Sequence, residues 1–296
     1  MENTAKAPHK MKIQRGDAGV DHSVQSVTPY RVISVIVLII LALLFLFPLY
    51  WIITGSFKSQ QVINAAVPQW FPLSPTLNNY QRLMQRPALL WLWNTVFICA
   101  MAMLLTCLAA SMGGYALAKK KFAGRSIIFS IFVIAMALPK QVILIPLLKE
   151  MAWLRLHNTL WAVILPTVGW PFGVFLMKQF SDNIPGELLE AAKIDGAGEA
   201  RTFTQIVLPM ISPGIGALAI FTFISAWNDY FLQLIMLNDT NALTISLGIA
   251  KLQSELSTDF GLIMAGAAVG SIPIIIIFLI FQKFFTRGIT MGAVKG

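Results

Sequence analysis

Residues 184 to 213 read IPGELLEAAKIDGAGEARTFTQIVLPMISP and separate two apolar runs, Thr159 to Phe180 and Ile206 to Met236. Pro185 can open a helix, and Glu187 and Glu190 then sit near its positive N-terminal end. Leu188, Ala191, Ala192 and Ile194 give that helix its apolar contacts, and Gly196 and Gly198 stop it. A second helix starts near Glu199 and places Phe203, Ile206 and Val207 on one side before Pro209 re-enters the apolar run. So short and so patterned a segment reads as a docking element. The alternative is that it folds back on a membrane surface.

Outward from this stretch the chain is apolar. Of 296 residues 57% are hydrophobic and 12% charged, about half the charged share of a soluble domain. With 22 basic and 13 acidic residues there is too little charge to cover a soluble body of this size, so the missing surface faces lipid. A span needs about 20 apolar residues in a helix, and six segments qualify: 32–53, 91–118, 126–148, 159–180, 206–236 and 260–285. The third contains Pro139, Lys140 and Pro146, and the fifth starts with Pro209 and Pro213. Prolines bend such helices and are tolerated where protein or a water-filled cavity satisfies the freed backbone groups.

The expected fold class is therefore an all-α membrane protein of six transmembrane helices. Lysine and arginine number 15 in the segments that lie inside if the N-terminus is cytoplasmic, and seven in the outer loops, so both termini are placed in the cytoplasm. The expected organisation is a cytoplasmic tail over 1–30, a membrane domain over 31–286, and a second tail over 287–296. The polar start, with no small-residue cleavage site after the first apolar run, reads as a tail before a retained helix instead of a signal peptide. The net charge of +9 is gathered in short gaps such as Lys119-Lys120-Lys121 and Arg125, which suits a cytoplasmic membrane face and not nucleic acid. Cys99 and Cys107, Gly266 and Gly270, and Ser111, Gly113 and Gly114 all read as packing positions.

The docking element carries a resemblance. Glu190, Ala191 and Ala192, then Asp195, Gly196 and Ala197, then Phe203, Ile206, Leu208 and Pro209 match the coupling-loop motif of ABC-importer permeases: E-A-A, D-G-A, a spaced hydrophobic and L-P. The chain resembles that family from about Tyr30 onward. It is closest to the maltose-permease branch of carbohydrate importers through Phe47-Pro48-Leu49, Asn94-Thr95, Tyr115-Ala116 and the ending GITMGAVKG. The resemblance implies the type I permease fold in the bacterial inner membrane. It also implies an unlike second permease, two ATP-binding subunits that hold the ATP and Mg, an extracytoplasmic sugar-binding protein docked on the outer face, and a saccharide substrate. The coupling loop, 184–209, would insert into a cleft on the ATPase subunit. Glu187 would lie in that contact, Glu190 would pair with a basic group there, and Gly196 would form the turn between the two helices. The run Gly288 to Gly296 is similar to a tail that reaches between the two ATPase subunits.

No catalytic residue is expected. There is no G-x-x-x-x-G-K-[ST] phosphate loop, no nucleophile elbow or H-E-x-x-H, and His9, His22 and His157 have no metal-ligand spacing. Neither a cofactor nor a metal is expected in this chain. Polar groups inside spans default to function, and two places have them. Trp227, Asn228, Asp229 and Tyr230 combine an amide, a carboxylate and two aromatic rings, the composition that contacts sugars; the same group could instead be an interfacial anchor. Lys140 and Gln141 form the second, with a snorkelling lysine as the alternative. An ion-coupled secondary transporter would need acidic residues deep in the spans, for which Asp229 is the one candidate. A membrane enzyme, or an importer of a polyol or a glycerol-phosphate-type substrate, are the other readings.

Overall fold

The computed structural model describes residues 29–255 and 259–293. The expected N-terminal tail lies outside them up to residue 28, as do the last three residues of GITMGAVKG. Among the described residues every regular element is helical. The chain divides after Phe47 into two units.

The first unit carries the start of α1 (Pro29–Ser56). From Val32 to Phe47 its single polar residue is Ser34, which donates its hydroxyl back to the Tyr30 carbonyl at 2.8 Å, satisfying it inside the helix. The second unit begins at Pro48, within the same helix. Short helices α2 (Gln60–Ile63) and α3 (Asn78–Met84) follow. The Asn79 amide donates to the carbonyls of Ser56 and Lys58, both at 2.8 Å, and Arg82 pairs with Asp259. The Lys58 ammonium is buried, donates to the Gln69 carbonyl and lies over the Trp51 ring; burial pushes its pKa down.

Then come α4 (Ala88–Lys119), α5 (Arg125–Met136), α6 (Lys140–Trp153), α7 (Trp161–Val168) and α8 (Phe172–Asp182). Next come α9 (Gly186–Ile194) and α10 (Glu199–Thr202). The chain re-enters through a π-helical turn, Phe203–Val207, into α11 (Leu208–Asn228). It ends with α12 (Tyr230–Met236), α13 (Ile245–Glu255) and α14 (Phe260–Ala293). Among the described residues five helical stretches are long and apolar enough to cross a membrane, with α7 and α8 counted as one, and six if α5 and α6 form one span.

The third apolar run is not a gently bent helix. Pro139 lacks an N–H and disfavours helical geometry at Leu138, and α5 and α6 diverge there by 110°. The fifth run, expected to continue to Met236, stops at Asn228: Asp229 leaves the helix at φ −80°, ψ 68°, and its side chain accepts from Leu232 N at 3.4 Å to cap α12. The outer loop 238–259 contains α13, and the last helix runs on through most of the segment expected to be a tail.

Lipid tails are as apolar as leucine, so helices in a membrane associate through close packing and buried hydrogen bonds. α4 packs closely along its length against α7, α8 and α11, and makes buried hydrogen bonds at its first turns. A β-carbon at Gly114 would stand 2.6 Å from the Lys178 backbone nitrogen on α8, so only glycine allows that approach. At its outer end, Asn94 donates to the carbonyls of Asn241 and Leu243 at 2.8 and 3.0 Å, and Thr95 accepts from Ile245 N at 2.9 Å. These bonds fix the start of α13. A β-carbon at Gly266 of α14 would stand 2.8 Å from the Ile249 side chain of α13, the close contact expected of its spacing.

Candidate functional site

The docking element folds as two helices around a turn that the sequence specifies. Ala197 N donates to Ala192 O at 2.9 Å and Gly196 N to Lys193 O at 3.1 Å, the paired bonds of a Schellman cap. Gly196 occupies the left-handed position of that cap at φ +75°, with nothing close to where a side chain would project. Its absent β-carbon therefore matters for conformation and not for space. Of the four apolar residues expected to hold α9 down, Ala192 alone turns inward, joined by half-buried Leu189, whereas Leu188, Ala191 and Ile194 are exposed, Ile194 to 86%. Glu187, Glu190 and Asp195 are exposed beside them. The outward surface is thus a narrow apolar strip edged with carboxylates, a pattern that lone water-facing helices avoid and docking helices use.

Sequence reading missed what holds this element to the membrane body. Lys119 donates to the carbonyls of Asp182 and Ile184 at 3.0 and 2.6 Å, and Lys120 pairs with Glu199 on α10. Burial pulls the Lys120 pKa down, but Glu199 and the Tyr115 phenol beside it outweigh that and leave it raised. Tyr115 packs on Phe203 with ring centroids 5.6 Å apart. The basic loop counted above as a topology signal therefore also supplies two lysines that clasp this helix pair to the end of α4. The π-helical turn follows directly. Pro209 would otherwise press its ring on the carbonyl of Gln205, four residues back, and the wider turn relieves that clash. Phe203 and Leu208 pack against the second apolar cluster, around Val207 and Ile211, while Pro209 itself is exposed.

The second region is a pocket lined by Lys140, Gln141, Thr167, Trp170 and Asp229 with aliphatic walls. It joins the two polar places that the sequence kept apart: Lys140 Nζ lies 3.5 Å from Asp229 Oδ2 and 4.7 Å from the Trp170 ring centroid. The other members of the tetrapeptide go elsewhere. Trp227 is buried against Phe223, Asn228 donates to the Ile224 carbonyl of its own helix at 2.9 Å, and Tyr230 lines a separate groove with Leu234 and Lys251. Buried Gln233, unremarked in the sequence, donates to Ala226 O and accepts from Thr244 Oγ1, fixing α12 against α11 across the break at Asp229.

Comparison with known proteins places this geometry. The family described as binding-protein-dependent transport system inner membrane component matches residues 105–291. The chain is 35% identical to the arabinooligosaccharides transport system permease protein AraQ of Halalkalibacterium halodurans, over 86% of this chain and 93% of that one. It is 32% identical to the trehalose/maltose transport system permease protein MalG of Thermococcus litoralis, over 90% and 97%. Among solved structures, a bacterial ABC transporter involved in the import of the acidic polysaccharide alginate superposes with a TM-score of 0.76, covering 88% of this chain and 98% of that one at 21% identity.

Proposed function

The chain belongs to the family of binding-protein-dependent transport system inner membrane components, and from that premise we propose that it is the membrane-spanning permease of an ATP-driven sugar importer, coupled to its motor through residues 184–209. The observation that carries the reading is the outward face of α9, where Leu188, Ala191 and Ile194 stand exposed between Glu187, Glu190 and Asp195. In this account two ATP-binding subunits hold the ATP and Mg, each of the two permeases offers one such element, and the second permease is a different chain. Glu190 pairs with a basic group on the ATPase subunit. The Schellman turn and the Lys119 and Lys120 clasp make the element rigid enough to pass that subunit's movement into α4 and α11.

Substrate arrives on an external binding protein and crosses between alternating states of the permease pair. The relatives support a saccharide: their names specify arabinooligosaccharides and trehalose/maltose. Asp229, on the wall of the pocket at the broken spans, is the proposed sugar contact. Trp227, Asn228 and Tyr230 position the break in which it sits.

Purification of the tagged chain in mild detergent, with mass spectrometry of its companions and an ATPase assay, tests the reading. Recovery of an ATP-binding subunit and a second permease, with hydrolysis stimulated by a sugar-loaded binding protein, is the expected result. A chain that purifies alone in detergents that preserve other importers overturns it and favours an ion-coupled transporter.

A further inference from the structure

Three separate interruptions of helix meet at the Lys140 pocket. Pro139 and Lys140 lie at the break between α5 and α6, Trp170 and Pro171 at the break between α7 and α8, and Asp229 at the break between α11 and α12. Non-helical backbone at membrane depth survives where it is buried in protein or lines a polar cavity, and discontinuous helices form substrate sites in other transporters. One such break is a local accident of proline. Three that bring an anion and an indole each within 5 Å of one cation make a built site.

The charges of that site set what it can accept. Among the described residues Lys140 and Asp229 are the only charged side chains lining it, so the formal charge of that lining is zero. Gln141 and Thr167 add neutral donors and acceptors. The pocket has about 60 Å³ of free volume, room for a few water molecules, so a sugar meets it at its mouth, where the Lys140 side chain is 42% exposed. A hydroxyl there can donate to Asp229 and accept from Lys140 without separating them. A carboxylate or sulfonate must compete with Asp229 for Lys140 and then face the displaced carboxylate at close range.

Resting on the reading of this region as the sugar path, we propose that Lys140, held by Asp229 over Trp170, is a charge filter that selects uncharged saccharides over anionic ones. Lys140 and Trp170 thereby join Asp229 as specificity-determining residues.

Equilibrium binding to the purified importer complex tests this, with neutral malto-, arabino- and xylotriose as one probe set and trigalacturonate as the other. The wild type binds at least one neutral probe about tenfold or more tightly than trigalacturonate. Asp229→Asn leaves Lys140 uncompensated and narrows or reverses that ratio, and adding Lys140→Met cancels the change. Equal binding of both probe classes by the wild type, with a ratio the variants do not move, overturns the filter and leaves the sugar path standing. Binding of no probe by any form overturns the sugar path and the filter together.

Discussion

The two working regions of this molecule are built in opposite ways. The coupling element takes all its outward residues from nine consecutive positions of α9 and the turn after it. The pocket takes Lys140, Trp170 and Asp229 from three helix breaks that the chain visits over some ninety residues. The first is a surface device whose charges are exposed. The second holds its charges against each other inside a span, where an unpaired ion is costly. On the proposed reading one region transmits force and the other meets a solute, so damage to each should leave the other intact.

The largest break in that comparison is Glu190→Lys. Placing like charges together at an interface costs several kcal/mol, so uptake should fall on the order of 100-fold while the chain still reaches the membrane and sugar binding to the complex is unchanged. Uptake at the wild-type level would remove Glu190 from the coupling contact. Lys140→Ala is the counterpart. It leaves Asp229 unpaired and should lower uptake about tenfold, given roughly 1–2 kcal/mol for losing a partly exposed charge-assisted contact. Recovery of ATPase subunits should stay unchanged. If those subunits were lost as well, the separation of the two regions would fail.

Gly196→Ala sharpens the first half. A β-carbon in the left-handed conformation costs roughly 1 kcal/mol, so ATPase-subunit recovery in detergent should drop about fivefold, and Gly196→Asn, which tolerates that conformation, should restore much of it. The smallest effect belongs to Lys120→Met. Its pair with Glu199 is exposed and such pairs contribute 0–1 kcal/mol, so a two- to threefold loss of coupled ATPase activity is expected, reproduced by Glu199→Gln and not enlarged in the double variant. Additive losses would mean the two residues act separately.

These opposite constructions also explain what could be read in the sequence. The spans are apolar runs of bilayer length, and the coupling element lies in one contiguous motif, so both were legible. The stop at Gly196 was legible as a glycine at the end of the helical pattern. The pocket was not legible as a unit, since nothing in a sequence places residue 140 beside residue 229. Its parts left weaker signals. Gly169-Trp170-Pro171 is a breaker inside a run taken as continuous, and Asp229 directly before Tyr230-Phe231-Leu232 has the form of an N-cap. Uniform hydrophobicity through Ile206 to Met236 hid that cap. The inward and outward faces of α9 were misjudged for a related reason: a helix that docks on a partner exposes apolar residues which a single-chain pattern assigns to its own core.

Site-directed cross-linking from α9 tests the central claim most directly. Ile194→Cys places a thiol at a position 86% exposed, while the native Cys99 is buried and Cys107 half-buried. In native membranes a short bifunctional reagent should join this cysteine to an ATP-binding subunit, with a yield that changes when ATP is added. A thiol that reacts freely with water-soluble reagents, yet joins no ATP-binding subunit with or without ATP, would contradict the account.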